Sequence, residues 1–222
     1  MTSQNLAEAI IWVSMFLLIS GPVHECAHAF VAWKLGDGTA KLFGRITLDP
    51  IKHFDPIGGT LLAVTVLLSA LAGRPFGFGW AKPTPVNPYN LRGRYADSMV
   101  AVAGPLSNLA LAAVFAIGFR LLWSSGYFPD NTSVMNLLTD VFLTGVELNV
   151  VLMVFNLIPI APLDGSHVLF DVLDPRTAHD LRDFMNQYGM ILLIVLVLFG
   201  GRLIFGLVAP IVNFLAGVQV FL

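Results

Sequence analysis

"GPVHECAHAF", residues 21–30, decides how the rest of the chain reads. It follows directly on "MTSQNLAEAIIWVSMFLLIS" (1–20), so two histidines and a glutamate stand toward the C-terminal end of an apolar run over 6–33. The run is expected to cross a membrane, because 56% of the 222 residues are hydrophobic and only 12% charged, where a soluble domain carries about 25% charged residues. Mean hydropathy is +0.79. The chain therefore reads as an integral membrane protein. With no basic stretch or small-residue cleavage pattern ahead of the run, 6–33 is expected as an uncleaved span rather than a signal peptide. An ionisable side chain at the bilayer centre costs roughly 2.5–3.5 kcal/mol, so His24, Glu25 and His28 are functional candidates by default.

Further apolar runs cover 57–73, 98–122, 134–160 and 184–222. Most reach the roughly 20 residues a helix needs to span a bilayer. With no internal repeat and no soluble domain in view, 1–222 is expected to be a single membrane-embedded domain. Eight of the twelve basic residues fall in two connections: Lys34, Lys41, Arg45 and Lys52 in one, Arg74, Lys82, Arg92 and Arg94 in the other. Both connections therefore favour the cytoplasmic side. That requires "IGGTLLAVTVLLSALAG" (57–73) to be re-entrant rather than a crossing, with its backbone covered by protein. "KLFGRITLDP" (41–50) reads as a short strand or hairpin bracketed by Gly and Pro. The tail is interrupted at Gly200, Gly201 and Arg202, which leaves one further span plus an interfacial helix, or two spans. The expected fold is an all-α polytopic membrane protein. Its core is three transmembrane helices (6–33, 98–122, 134–160), with a re-entrant, strand-containing segment at about 37–73 and one or two C-terminal helices.

Net charge is −2 with no basic tract, which excludes nucleic acid as a partner. The lone Cys26 forms no intrachain disulfide. It reads as a small packed residue more than as a metal ligand.

His24 and His28 are four residues apart, on one face of a helix and about 6 Å apart along its axis. Together with Glu25 they make the H-E-x-x-H pattern, which supplies two metal ligands and a general base. In that chemistry the ion acidifies a water, the glutamate takes the proton, and the hydroxide attacks a carbonyl the metal polarises. The bland alternative is a pair of histidines bonded to backbone carbonyls across a helix interface.

A catalytic zinc takes three protein ligands and leaves one position open. Candidates for the third are Asp164 and His167 in "NLIPIAPLDGSHVLF" (156–170), His53 in "IKHFDPIGG" (51–59) and, less well placed, Glu147 and His179. Pro159 and Pro162 break the helix ahead of Asp164, which frees its carboxylate to turn toward a neighbour. His24 and Asp164 both lie near C-terminal ends of spans. They meet only if 6–33 and 134–160 run parallel, with 98–122 the single reversing crossing between them. A re-entrant 57–73 satisfies this and places the N-terminus outside and the site nearer the cytoplasm. Glu147 lies about 25 Å of helix before Asp164 and cannot join it on one ion.

"HECAH" (24–28), "GPLSN" (104–108) and "NLIPIAPLDG" (156–165) together resemble the site-2 protease family of intramembrane zinc metalloproteases. The loops "LGDGTAKLFGRITLDPIKHFDPIGG" and "FGWAKPTPVNPYNLR" resemble its compact subgroup without PDZ or CBS domains, and the likeness runs from about 24 to 170. Departures are small: Gly38 and Asp49 stand where relatives carry Pro and Asn, and Ala161 interrupts the proline alternation.

This resemblance implies that His24, His28 and Asp164 bind one catalytic zinc, that Glu25 activates water, and that Asn156 assists by stabilising charge on the attacked oxygen. It is what decides for Asp164 over His167. His53 and Asn108 are candidates for contacts with substrate or with the ligands. For Asn108, reading it as an interhelical hydrogen-bonding residue is preferred, and His53 serves equally well as a loop cap. The implied activity is hydrolysis of peptide bonds in or near transmembrane segments of other proteins within the lipid bilayer. A strand at 41–50 would pair with an extended substrate by edge addition. A rival function, a polytopic metal-ion transporter or sensor, uses the same His/Asp site but has no need of a base such as Glu25. Oligomeric state is not written in the sequence.

Overall fold

The computed structural model describes residues 3–71, 77–124 and 133–220. Arg74, the end of the 57–73 run, most of the 123–133 connection and the last two residues of the tail lie outside the described residues. Helix α1 (Ser3–Met15) continues through one wide π-helical turn, Phe16–Ser20, into α2 (Gly21–Lys34). There follow α3 (Thr39–Leu42), α4 (Pro50–His53), α5 (Pro56–Leu71), α6 (Ala96–Ser124), α7 (Ser133–Asn156), α8 (Gly165–Val172), α9 (Pro175–Phe199) and α10 (Gly201–Ala216). Among the described residues, four stretches are long and apolar enough to cross a membrane: Asn5–Lys34, Ala96–Ser124, Val134–Asn156 and Pro175–Phe199. At 16 residues each, α5 and α10 fall short of the roughly 20 a span needs. The tail is thus one long helix and one shorter one.

Among the described residues there is no strand, so the strand expected over 41–50 is not found. Local hydrogen bonding explains the difference. Asp37 Oδ1 accepts from the Thr39 amide and hydroxyl (3.1 and 2.5 Å) and starts the turn of α3. Gly44 takes φ +65°, a left-handed conformation that ends extended chain. Asp49 then caps α4 by accepting from Ile51 N–H at 3.0 Å, with Pro50 at the first helical position. Edge pairing of a substrate at 41–50 loses its structural basis.

Small residues let the helices close up in an apolar medium. Along α6, Ala101, Gly104, Ala112 and Ala116 are buried, between α2 on one side and α7 on the other. One core joins α6, α7 and α10 through Ala112, Ala116, Val146, Val150, Val208 and Val212. A second joins α1, α5 and α7 through Ala9, Phe16, Leu62, Val66 and Leu148. Helix α5 lies against α1, with the Ala70 carbonyl accepting from Asn5 Nδ2 at 3.2 Å. The chain then returns beside α5, where Phe78 N–H donates to Thr65 Oγ1 (2.9 Å) and Lys82 N–H to the His53 carbonyl (2.8 Å). The excursion from 53 to 82 begins and ends at one place.

Helix α7 stops at Asn156, short of the expected 160. Pro159 has no N–H to continue the ladder, and 157–164 forms a run of tight turns containing a cis Ala161–Pro162 bond.

Candidate active site

Two histidines from α2 and one aspartate from the end of the proline-rich turn converge against α6. His24 Nε2 and His28 Nε2 stand 3.0 Å apart, and Asp164 Oδ2 lies 3.3 and 3.5 Å from them. Both rings are anchored at the opposite nitrogen, His24 Nδ1 to Asn108 Oδ1 (2.6 Å) and His28 Nδ1 to the Val100 carbonyl (2.7 Å). A carbonyl only accepts, so the anchored nitrogens carry protons, and in the neutral imidazoles that bind a metal each Nε2 presents a lone pair. The Asp164 Oδ2 atom, also buried, has no hydrogen-bond donor. Three lone-pair atoms aimed at one point repel one another unless a cation lies between them. Two imidazoles and a carboxylate are a donor set suited to zinc, the number of protein ligands a catalytic zinc takes.

Two glycines make room for this arrangement. A Cβ on Gly104 would come within 2.6 Å of His24 Nε2 and also against His28 Nε2, so it would occupy the space an ion requires. On Gly165 a Cβ would collide with the Leu157 and Ile158 carbonyls, which fixes how closely α8 approaches the proline-rich turn. Asp164 occupies the N-cap position of α8 yet makes no capping bond. An aspartate there ordinarily accepts from the first turn of its helix; this one turns to the histidines.

Glu25, half-buried, is held by a different structure. The extended segment 77–87 passes over α2, where Thr84 N–H donates to Glu25 Oε2 (2.7 Å) and Thr84 Oγ1 to the Glu25 carbonyl (2.9 Å). Pro83 and Pro85 flank Thr84 and hold the chain extended. They have no amide hydrogen, so Thr84 supplies the one N–H of the three residues. Two buried charged side chains pin this strap. The Arg45 guanidinium donates to the carbonyls of Lys52, Lys82 and Pro83. Asp37, fully buried, accepts from Asn87 N–H (2.7 Å) and Asn90 Nδ2 (3.1 Å). Burial pushes the Asp37 carboxyl up, but the donors from Thr39, Asn87 and Asn90 outweigh it and hold the group below the usual carboxylate range.

The chain matches peptidase family M50 over residues 12–200. It belongs to that family. Among its relatives, "Putative zinc metalloprotease YwhC" of Bacillus subtilis (strain 168) is 40% identical over 182 residues, 81% of this chain and 77% of that protein. "Putative zinc metalloprotease Rip2" of Mycolicibacterium smegmatis is 31% identical, covering 84% of this chain and 69% of the relative. The Rip2 of Mycobacterium tuberculosis (strain H37Rv) is 33% identical over 89% and 71%. No solved structure matches the chain with comparable significance. Membership of M50 does not favour the transporter reading.

In this M50 chain the structure gathers His24, His28 and Asp164 and leaves the other ligand candidates elsewhere. His167 Nδ1 pairs with Asp97 Oδ2 at 2.8 Å, His179 with Asp183 at 3.7 Å, and His53 Nε2 with the Thr47 carbonyl at 2.8 Å. His53 thus ties down the loop ahead of α4. Asn156, at the end of α7, donates Nδ2 to the Leu152 carbonyl (2.9 Å), which leaves a second N–H and its oxygen available. Asn108, fully buried, bonds His24 on α2 and Asn149 on α7.

Sequence reasoning did not single out Thr84, Arg45, Asp37 or Asn149 as supports of the site. Two signals were present: Pro-Thr-Pro isolates one amide donor, and an asparagine deep in an apolar helix needs a buried partner.

Proposed function

We propose that this chain is an intramembrane zinc metalloprotease that hydrolyses peptide bonds within or near transmembrane segments of other membrane proteins. The observation that carries it is the meeting of two imidazole Nε2 atoms, each anchored through its opposite nitrogen, and an unpartnered carboxylate oxygen at one buried point beside Glu25. His24, His28 and Asp164 hold the single zinc, which when bound supplies Lewis acidity at the scissile carbonyl.

Glu25 is the general base. The Oε1 atom takes a proton from the attacking water as the carbon–oxygen bond forms, while Thr84 N–H holds Oε2. The same proton passes to the leaving amide nitrogen as the carbon–nitrogen bond breaks. Positioned acid–base groups of this kind contribute about 10²–10⁴-fold. The second N–H of Asn156 stabilises charge developing on the carbonyl oxygen.

The N-terminus lies outside and the site faces the cytoplasmic half of the membrane, in keeping with the basic residues around 34–52 and 82–94. The 53–82 excursion is re-entrant, a reading supported by the His53–Lys82 bond that closes it. Helical substrates must unwind locally at the site, because an intact helix keeps its carbonyls in hydrogen bonds.

Zinc content and cleavage of single-span substrates by purified wild type and Glu25→Gln provide the test. The expected result is zinc in both and cleavage by wild type alone. Equal cleavage by the two proteins rejects Glu25 as base, and zinc-free wild type rejects the site.

A further inference from the structure

We infer that Asn149, which touches neither the ligand cluster nor Glu25, selects the nitrogen that His24 offers to the metal; this rests on the zinc reading above. The argument follows hydrogen-bond polarity along a buried chain. Asn149 Nδ2 bonds the Gly145 carbonyl, one turn earlier in α7, at 2.8 Å. That carbonyl has no hydrogen to give, so the amide can point only its NH₂ there. The Asn149 Oδ1 atom is thereby turned to Asn108, where it accepts from Nδ2 at 3.0 Å. The Asn108 oxygen is in turn forced toward His24, where it accepts from Nδ1 at 2.6 Å.

Asn149 and Asn108 are fully buried and His24 nearly so, so water offers no substitute partner at these links. Each amide can satisfy its neighbours only one way round. His24 therefore carries its proton on Nδ1 and presents a bare Nε2. His28 needs no such relay, because it bonds the Val100 carbonyl directly.

Without Asn149, the Asn108 amide loses the acceptor that orients it and can present its NH₂ to His24 Nδ1. The imidazole proton then moves to Nε2, and the ligand lone pair is gone. Asn149 is thus a positioning residue. A carboxylate at 108 has no wrong way round, since both of its oxygens accept, and it should remove the dependence on Asn149.

The experiment is a double-mutant cycle on the full-length protein in detergent, reading zinc affinity by chelator competition. Asn149→Leu should weaken zinc binding by about tenfold or more, within the range for groups that orient metal ligands. In the Asn108→Asp background the same change should alter it by less than about threefold. Equal losses in both backgrounds, or none in either, would overturn the inference. If Asn149→Leu does not fold, Asn149→Ser carries the same comparison. The ¹⁵N histidine spectrum of the zinc-loaded wild type is an independent check: a proton on His24 Nδ1 is required, and one on Nε2 would overturn the relay. Because affinity is read separately from cleavage, a protein that binds zinc with the expected dependence but cuts nothing would sink the protease reading and leave the relay standing.

Discussion

His24 and Glu25 are adjacent on α2, yet the two are held by unlike structures. His24 is fixed through side-chain amides on α6 and α7, all buried within packed helices. Glu25 is fixed through a main-chain amide on an extended strap, itself pinned by Asp37 and Arg45 in loops outside the helical core. With the roles proposed above, metal retention depends on close helix packing, and the position of Glu25 as the proposed base depends on loops. The two functions should fail separately.

The largest effect is expected at the point where packing and metal coincide. Gly104→Ala puts a methyl group into the space the ion needs, against His24 and His28. Zinc and cleavage should be lost together while α6 stays helical, since Ala favours a helix over Gly. Zinc analysis of the purified variant decides it; full metal content would show that the site yields and that packing does not control it.

The opposite half is tested at Arg45. Replacing it with Met leaves the carbonyls of Lys52, Lys82 and Pro83 without their donor and loosens the strap over Glu25. A catalytic group displaced by about 1 Å can lose on the order of 10²-fold in rate. A drop in cleavage of about 10–100-fold with zinc content unchanged is expected. Parallel loss of zinc would show the two halves to be one unit.

The same contrast explains what was legible in the sequence. The pair His24 and His28 was readable because four-residue spacing on a helix fixes a shared face whatever surrounds it. Four apolar runs became long helices for the same reason: length and hydropathy suffice. Asp164 was placed by family resemblance, since chain periodicity says nothing about the far side of a proline-rich turn. The strand over 41–50 was misread because Gly44 and Pro50, taken as brackets of extended chain, are a left-handed turn and the first residue of a helix that Asp49 caps. The strap's hold on Glu25 was hidden because it runs through a backbone amide, and every residue but proline has one. Asn149 was visible only as a polar residue in an apolar helix, with nothing in the sequence to name its partner.

The smallest effect is expected where the metal half reaches water. Helix α8, which follows Asp164, is tied to α6 by Asp171 accepting from the Ser98 amide and hydroxyl (3.0 and 2.6 Å). A second tie joins exposed His167 to Asp97. The Asp97 hydrogen bond raises the His167 pKa above its ordinary 6.5, against partial burial and the nearby Arg182. A pKa raised in the folded state favours the docked helix fully below about 6.5. That contribution disappears as pH rises through the raised value and His167 loses its charge. With the imidazole side chain 47% exposed, the tie is screened by solvent and small, and the Asp171–Ser98 bonds keep α8 docked. Amide protection across 167–172 should therefore fall slightly as pH rises above about 6.5, and Asp97→Asn should flatten that dependence with little change in zinc affinity. An identical pH dependence in both proteins would remove His167 from the account, whereas a large fall in zinc affinity would show that the coordination of Asp164 depends on this exposed tie and not on the buried packing of Gly165 against the proline-rich turn.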